Sequence, residues 1–413
     1  MIYPANFEEK IGFDRIREQV TALCSTPSAK AKLAEEGFST SADEIERRLS
    51  LMNEMRSLLM LERDFPDGDY PDPAPLVAKI RVEGSYLLAA EADQLRKALV
   101  TVGAIAEFIL GRGGARYPRL WELSRRVTLF PEIVRAIDAI LDDRGEVKDS
   151  ASPELQQVRR AIREREGQAA KRLQQVLQRA KQAGIVDADA VLSVRDGRPV
   201  IPVAAANKRK LQGFIHDESA TGRTFYVEPV EVVEINNELK ELEYAERREV
   251  VKVLSTFTES IRPDAEAIAD AGDYLSSVDM IRAKARWALA NDAGKPILST
   301  DDRLELRTAR HPLLQQTLRA QGREVVPLDL ALDRRKHILV ISGPNAGGKS
   351  VCLKTTGLMQ YLFQCGYPVP ASEVSELPVF RSIFIDIGDE QSIDDDLSTY
   401  SSHLRNMKNM LAG

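Results

Sequence analysis

Residues 343–350, GPNAGGKS, hold the residue types that phosphate chemistry asks for. Gly343, Gly347 and Gly348 carry no side chain to keep backbone N–H groups away from phosphate oxygens, and Pro344, Asn345 and Ala346 complete the loop. Lys349 is placed to reach β- and γ-phosphates, and the Ser350 hydroxyl to sit on Mg²⁺. The spacing fits G-x-x-x-x-G-K-[ST], so ATP and Mg are the expected cofactors. The apolar, branched run 338–341 in front of the loop reads as a buried parallel strand. Behind it, Leu353, Leu358, Tyr361 and Leu362 fall at helical spacing. A strand before and a helix after is the context that separates this motif from a chance glycine-rich turn, and the helix turns its positive N-terminal end toward the phosphates.

Such a site also needs an acid at the end of an apolar strand to hold the metal and position water. The stretch IFIDIGDE, 383–390, offers Asp386 or the pair Asp389 and Glu390, and residue types alone do not choose between them.

The loop comes late in a chain of 413 residues, so something large precedes it. That length accommodates two or three domains, and 43% hydrophobic with 29% charged residues describes a soluble, cytoplasmic chain. There is no apolar run long enough for a membrane span, and the charged start MIYPANFEEK is unlike a signal peptide. Cys24, Cys352 and Cys365 lack metal spacing, as do the scattered histidines His216, His311, His337 and His403, which argues against a disulfide framework and a metal cluster. A net charge of −6 confines any nucleic-acid contact to a local patch.

Residues 1–148 read as a helical core or lever, and 149–293 as a long hairpin with return helices. Ser152 is a plausible N-cap with Pro153 at the first helical position, and the helix that follows carries Leu155, Ile162, Ala169, Val176 and Ala183 at a seven-residue repeat, a coiled-coil seam. After Pro229, a second helix shows Val232, Ile235, Leu239, Leu242, Val250, Val253 and Phe257 on one face. The outgoing helix is rich in Arg and Lys and the returning one in Glu, which favours an antiparallel pair and makes the basic run first of all a solvated, paired face. Between them, 190–228 breaks into short β-rich runs at 191–194, 199–203, 212–216 and 224–227, separated by turns. Arg195, Arg198, Lys208, Arg209, Lys210 and Arg223 outnumber the acids there. With Phe225 and Tyr226 beside them they form either a phosphate-backbone contact or a merely solvated tip.

Taken in order, RHPLL (310–314), VVPLDLALD, ILVISGPNAGGKS, GYPVPASEV and DDDLSTYSSHL resemble the landmarks of the MutS ATPase domain. The tip sequences RDGRPVIPV and ESATGRTFYVEP are closer to MutS-II, the recombination-suppressing and ribosome-associated bacterial paralogue, and the similarity runs over essentially the whole chain. The resemblance implies a mixed α and α/β fold: a helical core, an antiparallel coiled-coil clamp carrying a small β-module, and in 294–413 the N-terminal part of an ABC-type P-loop ATPase domain. It implies an ATP-dependent homodimeric clamp acting on double-stranded or branched DNA, on collided ribosomes and their rRNA, or on both, with a C-terminal endonuclease domain in the full-length protein.

By the same comparison 383–390 matches the strand before a signature serine. The acidic strand is then expected beyond Gly413, so that this chain binds ATP but hydrolyses it poorly. Ser398 matches the serine that approaches the γ-phosphate bound by the other subunit, although a serine there also suits a helix N-cap. Phe7-x-Glu9 has the pattern of the mismatch-reading wedge, but no mismatch domain surrounds it, so mismatch reading is not expected. Two other readings remain: a nucleotide-gated coiled-coil scaffold for a protein partner, and a chromosome-organising ABC-type ATPase, in which the phosphate loop would precede the coil.

Overall fold

The computed structural model describes residues 1–195, 197–344, 348–387 and 407–408, a mixture of helices and small sheets. The chain divides into two compact units, one formed by Met1–Val77, Lys97–Pro131 and Glu266–Gly413, the other by Ala78–Arg96 and Glu132–Ala265.

In the first unit the two ends of the sequence share a core. Helices Phe7–Ile11 and Phe13–Ala22 meet at Gly12, whose φ of 78° is left-handed and where a Cβ would lie 2.8 Å from Leu313 Cδ1. Only glycine suits both demands. The pivot turns Phe7 and Phe13 onto helix Lys349–Gln364, where Tyr361 lies 5.1 Å from Phe7 and edge-on to Phe13 at 4.9 Å, and stacks on Phe38 at 5.6 Å. Such ring pairs add about 0.5–1.5 kcal/mol each beyond area burial. Phe7 is thus a core residue, 1% exposed, and not a wedge.

Helix Ala265–Ala290 is anchored in this unit by charge. The fully buried Arg282 donates to Asp279 (2.8 Å), Ser25 Oγ (2.7 Å) and the Gly68 carbonyl (2.6 Å), and its guanidinium lies 3.8 Å over the Tyr70 ring. Asp279 also accepts from the Thr26 amide and hydroxyl, so both buried charges are compensated. A small sheet, ordered Ile297–Leu298, Glu376–Leu377, Leu304–Ala309, Leu328–Leu332, covers another flank of the core.

The second unit contains the helical hairpin. The Ser152 side chain accepts the Leu155 amide (3.0 Å) and Pro153 opens helix Pro153–Gln182; helix Val230–Ile261 returns. Arg159 pairs with Glu246 (2.7 Å) and Arg165 with Glu238 (2.8 Å), so partner numbers fall as helix numbers rise and the helices are antiparallel. Along the seam Leu155, Ala169 and Val176 are buried and Ile162 is half-buried. Ala183 departs from the expectation: it is the exposed C-cap, because the helix stops one residue earlier.

Past Leu173 the outgoing helix changes partner. Leu173, Val176, Leu177 and Ala180 join Ile201, Val203, Val227 and Val232 in one cluster, so its last turns form the floor of the β-module. That module is an antiparallel sheet ordered Ser193–Arg195, Arg198–Ala204, Thr224–Pro229, Gly213–Glu218, close to the runs read from the sequence, with a bulge between Ile215 and Asp217.

Candidate functional site

The phosphate loop departs from expectation on one side and follows it on the other. The run 338–341 forms no ladder with any described residue, and Ile338 and Val340 are 76% and 84% exposed rather than buried. A strand of a parallel sheet takes its hydrogen bonds and its cover from neighbours, and composition carries no information on whether they are present. The helix behind it is there, spanning Lys349–Gln364 with Leu358, Tyr361 and Leu362 buried; Leu353 is half-exposed.

Gly348 caps that helix at φ 88°, a left-handed turn open to glycine, and Gly343 sits at φ 155°; a Cβ at either would meet no described residue within 4 Å. Open space beside two glycines at the N-terminus of a sixteen-residue helix is what a chain of phosphates requires. Lys349 Nζ folds back to donate to the carbonyls of Gly343 (2.6 Å) and Pro344 (2.7 Å), at the entry to the loop. Ser350, one position on, is exposed. The residues present therefore fit a Mg-nucleotide. Asn345, Ala346 and Gly347, together with Asp389, Glu390 and Ser398, lie outside the described residues; Asp386 follows the short strand Ile383–Phe384, which pairs in parallel with Ile2–Tyr3.

The far end of the helix is fixed by residues that sequence reasoning passed over. Gln360 donates to Gln364 (2.8 Å) and to the Pro378 carbonyl (2.7 Å), while Gln364 bonds the Ser39 and Phe380 carbonyls and accepts the Phe380 amide. Two glutamines one turn apart on an otherwise apolar face were the available signal. Near the start of the helix, burial lowers the His311 pKa, partly offset by a hydrogen bond with the Ile11 backbone. Burial likewise pushes the Cys352 thiol up, partly offset by a hydrogen bond with Thr356.

At the β-module the six basic candidates separate into two kinds. Arg198 donates to both oxygens of Glu228 (3.0 and 2.9 Å) and to Asn237; Glu228, 1% exposed in its side chain, also accepts from Asn236 (2.6 Å) and lies 2.6 Å from His216 Nε2. Burial pushes the Glu228 carboxyl upward, but the hydrogen bonds from Asn236, His216 and Arg198 outweigh it and hold its pKa below the ordinary value. Arg195 pairs with Asp217 (2.9 Å) and lies 3.8 Å over the Tyr226 ring. Lys208, Arg209, Lys210 and Arg223 are exposed, and the Ala205 amide bonds the Arg223 carbonyl (2.9 Å), which brings the two turns carrying them together. Lys208 lies 4.4 Å over Phe225, so the aromatic faces singled out from the sequence already carry cations.

Residues 339–413 match the family model MutS domain V. The chain is 35% identical over 401 residues to Endonuclease MutS2 of Bacillus velezensis, covering 97% of this chain and 50% of the relative. It is 36% identical to that of Thermomicrobium roseum over 95% of this chain and 50% of the relative, and 34% identical to the putative endonuclease MutS2 of Bacillus subtilis over 97% and 50%. The chain thus spans about half the length of the curated relatives it matches.

Proposed function

Because the chain is of the MutS2 type, we propose that it is the nucleotide-binding and clamp-bearing portion of a MutS-family ATPase that holds nucleic acid by its phosphate backbone. The observation that carries this reading is the loop. Lys349 rests on two loop carbonyls beneath an open glycine turn at a helix N-terminus. Gly343, Pro344, Asn345, Ala346, Gly347 and Gly348 would give the phosphates their backbone N–H groups, Lys349 a charge, and Ser350 a ligand for Mg²⁺. When bound, Mg-ATP supplies the free energy that distinguishes two states of the protein. The chain's own contribution is to turn from carbonyl-bound to phosphate-bound Lys349.

In this reading Ser398 contacts the nucleotide of a second copy and makes dimerisation respond to ATP. The hairpin serves as the clamp arm. Its contact surface is Lys208, Arg209, Lys210 and Arg223, because Arg198 is committed to Glu228 and the ring faces are covered. Phosphate contact without base stacking suits double-stranded or branched DNA and ribosomal RNA helices alike. The word endonuclease in the relatives' names is said of those proteins, and no residue here is assigned to it.

The test is Mg-ATP binding and binding of a four-way DNA junction across a salt series. Lys349→Ala should abolish nucleotide binding and leave the fold intact, since among the described residues its ammonium hydrogen-bonds only the Gly343 and Pro344 carbonyls. Reversing Lys208, Arg209 and Lys210 to Glu should weaken junction binding and flatten the log K against log salt slope by about 0.9 for each phosphate contact removed. Nucleotide binding by Lys349→Ala would overturn the loop assignment. Salt-insensitive or absent junction binding would instead favour a scaffold for a protein partner.

A further inference from the structure

Away from the loop, the first unit contains a cleft of about 350 Å³ between helices Pro27–Glu35, Ala42–Leu61 and Ala265–Ala290, with Leu123 at its side. That volume lies within the range of small-molecule sites. The floor is apolar, formed by Leu51, Met52, Met280 and Ile281, and around it stand Lys32, Arg47, Arg48 and Lys284 with Glu35 and Glu36.

The basic residues do different work. Lys284, almost fully buried, is paired with Glu36, bonds the Gly366 carbonyl (3.2 Å) and lies 4.5 Å over the Tyr367 ring. Lys32 is held by Asp273 (2.6 Å) and Ser277 (2.7 Å). Arg48 bonds Glu44 and the Gly37 carbonyl (3.1 Å), which uses two of the five N–H groups of a guanidinium and leaves Glu36 only at 3.8 Å. Arg47 is exposed on the rim and makes no hydrogen bond or ion pair among the described residues, acting on Glu44 only through its field. The cleft therefore has an apolar floor, fixed inner charges that satisfy one another, and spare guanidinium donors at its mouth. A carboxylate, sulfonate or phosphate ester on a compact apolar body matches that layout; a neutral apolar molecule leaves the donors unmet, and a free inorganic anion leaves the floor wet.

We propose that this cleft is a binding site for a small organic anion with an apolar body, seated on Leu51, Met52, Met280 and Ile281 with its charge on Arg47 and Arg48.

The experiment titrates the whole chain, saturated with Mg-ATP so that the phosphate loop is filled, with 1-naphthalenesulfonate and separately with neutral 1-naphthalenemethanol, followed by calorimetry. Arg47 is the residue to change, since Lys284 also donates to the Gly366 carbonyl and the stem of Arg48 packs against Gly366, just past the end of helix Lys349–Gln364. The sulfonate is expected to bind one site at least about tenfold more tightly than the alcohol, a difference of about 1.4 kcal/mol. Arg47→Glu should remove most of that preference. Leu123→Trp, at a half-buried lining position, should fill the cleft and abolish binding of both probes, with an unchanged melting profile showing that the fold is kept. No sulfonate binding at about 10 mM, equal affinity for both probes, or sulfonate affinity unchanged in Arg47→Glu would each overturn the proposal.

Discussion

Replacing Arg198 by Met tests whether the basic residues of the β-module are one solvated patch or two kinds of residue. The change removes two charge-assisted hydrogen bonds from Glu228 and leaves a carboxylate, 1% exposed, with Asn236 and His216 as its remaining partners. Breaking a fully buried pair costs about 3–5 kcal/mol. Arg198 is itself 23% exposed and Glu228 keeps two partners, so the cost should fall to about 2–3 kcal/mol. Arg195→Met is the control. Its partner Asp217 is 48% exposed, and the loss of that pair and of the Tyr226 contact should cost about 1 kcal/mol. A single melting temperature is poorly defined for a chain of two units, so the assay is amide hydrogen exchange in strands Arg198–Ala204 and Thr224–Pro229. Exchange through local opening should accelerate roughly 30- to 150-fold in Arg198→Met and about fivefold in Arg195→Met. Equal acceleration in the two variants would refute the division of the patch.

Ser152→Ala removes the side chain that caps the outgoing helix and should cost about 1 kcal/mol, seen as faster exchange confined to its first turn. Arg282→Leu leaves Asp279 buried with Thr26 as its one hydrogen-bond partner among the described residues, and should destabilise the first unit by about 3–5 kcal/mol in denaturant titration; a cost under about 1 kcal/mol would mean the network is dispensable. Protection of the β-module should also depend on pH. The folded pKa of Glu228 is depressed below that of an ordinary glutamate, so its contribution is complete above the ordinary value and is lost as pH falls through the folded pKa. Exchange protection that is flat from pH 7 to pH 5 and then declines is the expected profile, and Glu228→Gln should flatten the decline.

Local features were legible in the sequence because their causes are local. Ser152 followed by Pro153, the alternating runs between short turns, and the facing Arg and Glu of the hairpin all act within one or two neighbouring elements. The helix Lys349–Gln364 belongs to the same class, since its own periodicity and the Gly348 cap set it. What could not be read depends on distant partners. Residues 338–341 have the composition of a buried strand without a described neighbour to bury them. Arg198 looks like Lys208 in a string of letters, yet differs from it because Glu228, at the end of another strand, lies under it. Phe7 and Phe13 are apolar by type, but nothing near them in sequence tells that helix Lys349–Gln364 covers them.

That last pairing has a consequence for biosynthesis. Tyr361 donates to Glu8 across 353 residues of sequence, and the rings packed around it are separated by nearly as many. At roughly 5–20 residues per second, about 20 to 70 s pass on the ribosome between synthesis of the first helices and arrival of the segment that covers them. Helices Pro153–Gln182 and Val230–Ile261, with the strands between them, are complete long before that. The nascent chain therefore displays a finished hairpin while Phe7, Ile11 and Phe13 still lack their cover, and this early segment stays exposed until the helix far along the sequence arrives.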